Sequence, residues 1–155
     1  MKETNDNPTM LTDHFSLREM CKAPADLPVA NLPSGKYLEN LRRLCSWLEM
    51  LRSEWNQRYG EGDDPVIVNS GFRCQEANHA VGGAPGSNHL TGCAADIRVS
   101  GPEQALRYAV ILLDISDQSW EDFDELYVQR SPRGIWWVHF AVKAAGNRRR
   151  IGLWT

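Results

Sequence analysis

The chain has no uninterrupted apolar run of membrane-spanning length, and its polar opening residues, Met1 to Pro8, are followed by no apolar segment. That argues against a spanning helix, a lipid-anchor motif or a secretory signal, and it predicts a protein that is cytoplasmic as synthesised, with no membrane partner. Positive charge is also scarce. The 17 Lys and Arg are outnumbered by 20 Asp and Glu, for a net charge of −3, so no basic field marks nucleic acid as a main partner. The one basic cluster, Arg148-Arg149-Arg150, reads as a solvated tail, or as a contact for anionic wall polymer. The 4 cysteines are far apart and form no Cys-x-x-Cys pair. Neither a disulfide framework nor a thiolate zinc site is expected. Cys45 and Cys93 read as small core residues, and Cys74, beside Arg73, is the one thiol worth testing for reactivity.

What is present suffices for one compact core: 155 residues, 42% hydrophobic. Ser16 and Glu19, three apart, make a helix-start signature for a short helix that ends before Pro24 and Pro28. Residues 23–35, with three prolines and a glycine, read as an extended connection. From Lys36 to Tyr59, Leu38, Leu41, Leu44, Cys45, Leu48, Leu51 and Trp55 recur at three- and four-residue steps, the pattern of a long amphipathic helix stopped by Gly60. Val66 to Val68 reads as a strand, residues 74–88 as loop, and Ala94 to Val99 as a second strand. Pro102 opens a helix through Leu113. Phe123 to Gln129 and Ile135 to Val142 form a hairpin across Ser131-Pro132-Arg133-Gly134. This order predicts an α+β fold, a small antiparallel sheet flanked by helices in a single domain. The expected boundaries are a flexible N-terminus over residues 1–10, a domain over 11–143 and a tail over 144–155.

The chemistry concentrates in Ser87-Asn88-His89-Leu90-Thr91-Gly92-Cys93-Ala94-Ala95-Asp96 and in Trp136-Trp137-Val138-His139-Phe140. Asp96 and His139 lie in otherwise apolar strands, where a polar side chain is costly unless paired or metal-bound. Two imidazoles and one carboxylate hold zinc in three positions and leave a fourth open, and such a site activates water and polarises a carbonyl. A metal-free His–Asp hydrogen-bond network is the alternative explanation of the same residues.

These segments resemble the zinc peptidases that include D-alanyl-D-alanine carboxypeptidases, D-Ala-D-Ala dipeptidases of vancomycin resistance and phage L-alanyl-D-glutamate endolysins. The resemblance is carried by Ser87, His89, Gly92, Ala94, Asp96, Trp137 and His139, by Phe15 to Met20, by Ser70-Gly71-Phe72-Arg73, and by Asn78 with Val81-Gly82-Gly83. It runs over residues 11–142 and implies a hedgehog/DD-peptidase-like fold. It also implies Zn2+ held by His89, Asp96 and His139, and Arg73 facing a substrate carboxylate through its guanidinium fork. Ser70 and Ser87 would either bond substrate near the site or cap turns. The implied partner is a peptidoglycan stem peptide met by a monomer, acting at the cell wall if the protein is phage- or mobile-element-encoded.

The family also uses a carboxylate that takes and returns a proton. One of its usual positions, three before the last His, is Trp136 here; the other, at the end of the preceding strand, is Gln129, whose amide accepts no proton at neutral pH. Alternation puts Glu125, Tyr127 and Gln129 on one strand face, and if the hairpin pairs Tyr127 with His139, Glu125, the substitute base, lies two residues or roughly 7 Å farther along the strand. Two readings follow: a zinc peptidase that hydrolyses D-amino-acid-containing peptides of peptidoglycan, or a zinc-containing pseudo-peptidase that binds such peptides without efficient cleavage. A third, an interaction domain with purely structural zinc, is weakened by the visible set of three ligands, since closed sites usually have four.

Overall fold

The computed structural model describes residues 9–153. Of the N-terminal segment expected to be flexible, residues 1–8 lie outside these; Met10 bridges Ser16, and the Thr9 carbonyl accepts from the Leu17 amide at 2.8 Å. Ser16 then caps α1 (Leu17–Met20), its Oγ accepting from the Glu19 amide at 3.1 Å. Glu19 does not complete a reciprocal capping box: its carboxylate accepts from the Val68 amide at 3.3 Å, tying α1 to β1 (Val68–Ser70).

The long periodic segment folds as α2 (Gly35–Arg58), burying Leu41, Leu44, Cys45, Trp47, Leu48 and Leu51. Each buried Leu contributes about 1.5–3 kcal/mol relative to exposure. Trp47, which the three-and-four spacing passes over, packs on Phe140 with ring centroids 5.3 Å apart, because the buried face is wider than one stripe. The second long helix, α4 (Pro102–Ser119), runs a turn and a half beyond Leu113 and packs beside α2.

Five strands form one sheet in the order β1-β2-β4-β3-β5, with β2 at Ala94–Arg98, β3 at Glu125–Arg130, β4 at Trp136–Ala141 and β5 at Arg150–Leu153. The first three pairings are antiparallel as expected, and β5 adds to β3 in parallel, so the sheet is mixed. The α+β single-domain reading stands. The last segment, however, is not a solvated tail. Arg149 reaches Asp117 at 2.9 Å and Asp122 at 3.0 Å, Arg148 is bound to Asp124, and the backbone beyond them is a sheet strand. Composition alone pointed to solvent because the acidic partners are distant in sequence.

Strand alternation divides the sheet into two chemistries. Ala95, Ile97, Leu126, Val128, Val138 and Phe140 point into the core with the helices. The opposite face carries Asp96, Glu125, Tyr127, Gln129, Trp137 and His139. The loop between β1 and β2 folds over that second face. It contains α3 (Gln75–Ala80), a helix where the sequence suggested loop; the glycines and Pro85 after it masked a six-residue helix capped by the Cys74 sulfur, which accepts from the Ala77 amide at 3.5 Å. A 3-10 turn over Asn88–Thr91 then delivers the chain to β2.

Candidate metal centre

Register builds the site. Asp96 of β2 lies directly opposite His139 of β4, and His139 directly opposite Tyr127 of β3, so three side chains line up across one sheet face. His89 arrives from the 3-10 turn. Gly92 ends that turn with φ +76°, and a Cβ there would sit 2.8 Å from the Tyr37 carbonyl, so conformation and close packing both require glycine. The ligand atoms of His89, Asp96 and His139 all lie within 4.8 Å of one another. His89 Nε2 is 3.4 Å and His139 Nδ1 3.0 Å from the same oxygen, Asp96 Oδ1.

Each imidazole is oriented by its other nitrogen. His89, only 2% exposed, places Nδ1 2.7 Å from the Gly71 carbonyl, a bond that fixes the proton there and leaves the Nε2 lone pair facing Asp96. His139 Nε2 is 3.1 Å from Glu125 Oε1, and the Tyr127 ring stacks on the imidazole at 5.4 Å. Two inward nitrogens and a carboxylate oxygen, each imidazole backed by an acceptor, form a donor set that fits zinc.

The electrostatics agree with a cation-binding site. Burial opposes ionisation of Asp96, yet the His139 and His89 imidazoles beside it outweigh that and hold the carboxyl well below the usual carboxylate range. Burial alone would lower His139; its bonds to Asp96 and Glu125 overcome that and raise it to about 9. The bond from His139 brings Glu125 down to about 2, with Asn88 and Tyr127 assisting against burial.

These residues line a cleft of about 440 Å³ together with Arg73, Ser87, Gln129 and Trp137. Among the described residues, no acceptor pairs with the buried Nε of Arg73. Burial lowers its guanidinium from the ordinary value, partly offset by Asp96, and an arginine still keeps its charge. Asn31, from the proline-rich connection, braces the flanks of Arg73: it donates to the Phe72 carbonyl at 3.0 Å and accepts from the Cys74 amide at 2.7 Å. Ser87 lines the cleft and also caps the 3-10 turn, its Oγ accepting from the His89 amide at 3.2 Å. Ser70 pairs opposite Asp96 in β1 but is not among the lining residues. Gln129 faces the cleft beside Trp137, its partner across the hairpin. Glu125, expected a strand-step away, touches His139: its Oε1 lies 3.1 Å from Nε2, while Oε2 accepts from the Tyr127 hydroxyl at 3.1 Å.

Three contributors escaped the sequence reading. Asn88 donates to Asp124 Oδ2 at 2.8 Å and to Glu125 Oε1 at 2.6 Å, and Arg148 chelates Asp124, which is 0% exposed. The signal was available for Asp124: an acid between Phe123 and Leu126 is as costly to bury as Asp96. Its cation lay 24 residues away, in the segment read as tail.

A sequence model of the peptidase M15 family matches residues 13–124, which includes Arg73, His89 and Asp96 and stops before β4 and His139. A stretch of 40 residues is 50% identical to the zinc D-Ala-D-Ala carboxypeptidase of Streptomyces albus G, covering 26% of this chain and 16% of that protein.

Proposed function

Because this chain belongs to the peptidase M15 family, we propose that it is a zinc-dependent peptidase acting on D-amino-acid-containing peptides of the bacterial cell wall. The observation that carries the proposal is the convergence of His89, Asp96 and His139 on one cleft that also holds the unpartnered Arg73 Nε. The resemblance to a zinc carboxypeptidase over a short stretch supports the metal and the peptide class.

His89, Asp96 and His139 would hold the ion, which supplies the Lewis acidity that activates water and polarises an amide carbonyl. The protein supplies the rest. Arg73 pairs with a carboxylate of the peptide through Nε and its neighbouring nitrogen, fixing the chain across the cleft. Tyr127 holds the His139 ring flat by stacking, and Trp137 walls the far side of the cleft. Among the described residues, Glu125 is the one lining carboxylate besides Asp96, so it is the group able to take up a proton there. With donors from His139, Asn88 and Tyr127 already on it, Glu125 is a weak base, and Gln129 contributes only an oriented amide. Slow turnover is the expected result. Neither comparison supports the binding-only alternative, and one experiment separates the two: digestion of purified peptidoglycan by zinc-loaded protein, read by mass spectrometry beside chelated and His89→Ala samples. New amine-terminated stem peptides absent from both controls are expected. Intact peptides after incubation with protein shown to carry one zinc would sink the peptidase reading.

A further inference from the structure

Arg148 lies outside the family match and outside the cleft lining, yet it is wired to the centre. Its Nε and Nη2 reach the two oxygens of Asp124 at 3.0 Å and 2.6 Å, and its backbone amide donates to Oδ1 at 3.0 Å. Asp124 is fully buried, where a carboxylate persists only with such partners. Its Oδ2 also accepts from Asn88 Nδ2, and the same amide group donates to Glu125 Oε1. Glu125 in turn receives His139 Nε2. Two carboxylates therefore share one amide, and the arginine's single charge screens them from each other, its Nη2 lying 2.6 Å from Asp124 Oδ2 and 3.8 Å from Glu125 Oε2.

We propose that Arg148 is a positioning residue of the metal centre, acting through Asp124, Asn88 and Glu125 on the orientation of His139. The inference rests on the reading of His89, Asp96 and His139 as zinc ligands. Without the guanidinium, Asp124 keeps Asn88, the backbone amide of residue 148 and Lys143, the last at 3.4 Å. Repulsion between Asp124 and Glu125 is then less screened, and Glu125 swings away from His139 Nε2. The imidazole loses the acceptor that sets its ring angle. Losing such an outer partner typically weakens metal binding by about 10–100-fold. The next residue provides an internal control. Arg149 makes as many ion pairs from the same segment, but its guanidinium goes to Asp117, Asp122 and Ser116 and lies over Phe123, and among the described residues it bonds no side chain of this network.

The test measures zinc dissociation constants of the full chain by competition with a chromophoric chelator, at a temperature where circular dichroism shows every variant folded. The visible absorption of the cobalt-substituted forms is recorded alongside. Arg148→Met is expected to weaken zinc binding about 10-fold or more and to alter the cobalt spectrum. Arg148→Lys, which restores charge without the fork, recovers part of the loss, and Arg149→Met stays within about twofold of wild type. Unchanged affinity in Arg148→Met, or an equal loss in Arg149→Met, would overturn the proposal in favour of a general role in holding the C-terminal strand. If the wild type took up no zinc, or His89→Ala bound it as tightly, the metal-centre reading would fail and take this inference with it. That outcome is visible before Arg148 is altered.

Discussion

Glu125 and Gln129 face the cleft from the same strand, and their surroundings differ in the way that decides which can move a proton. Glu125 holds three donors, from His139, Asn88 and Tyr127, and sits at about 2, far from the pH at which a base is most useful. Gln129 has the position and lacks the chemistry. Gln129→Glu is therefore expected to raise kcat/KM on a wall-derived peptide by about 10-fold or more, whereas Glu125→Gln lowers both activity and zinc affinity through His139. Steady-state kinetics on zinc-saturated protein, with the metal content measured, checks both; a Gln129→Glu variant no faster than wild type would contradict this division of labour. At this scale the ligands were legible in the sequence because a polar residue in an apolar strand needs a reason. Asn88 was not, because an amide flanking a histidine in a loop carries no comparable penalty.

The elements divide along the same physical line. Long periodic α2 and the alternating strands β2, β3 and β4 were readable from hydrophobic spacing, since burial on one face imposes it. Two were not. α3 is six residues long and capped by a thiol, and β5 is exposed apart from one half-buried glycine, so neither leaves a period to read. The 3-10 turn depends instead on one residue. Gly92→Ala must place a Cβ against the Tyr37 carbonyl at a positive φ, which costs more than about 1 kcal/mol and shifts the His89 ring. Denaturant unfolding of the metal-free protein together with zinc titration tests this: both midpoint and affinity are expected to fall, and loss of neither would show the turn to be tolerant.

For the whole molecule, the sheet separates a helix-covered core from a polar face, and the C-terminal segment, paired to β3 at one edge, is tied to that face through Arg148 and Asp124. Asp124 is the tie. Burial opposes its ionisation, but Arg148, Asn88 and Lys143 hold its carboxyl well below the usual range. A folded-state value below the unfolded value of about 3.9 means the stabilisation is full above that pH and is lost as the pH falls toward the folded value. Asp124→Asn is accordingly expected to cost about 2 kcal/mol near neutrality, with the gap to wild type narrowing below about pH 4. Urea unfolding across that range measures it, and a constant gap would assign the stabilisation elsewhere. X-ray absorption of the zinc-loaded protein examines the three-ligand centre most directly. Two imidazole nitrogens at about 2.0–2.1 Å, a carboxylate oxygen at about 2.0–2.2 Å and one further light atom from outside the protein are expected, all perturbed in His139→Ala. A sulfur scatterer at about 2.3 Å, or a spectrum indifferent to His139, would contradict it.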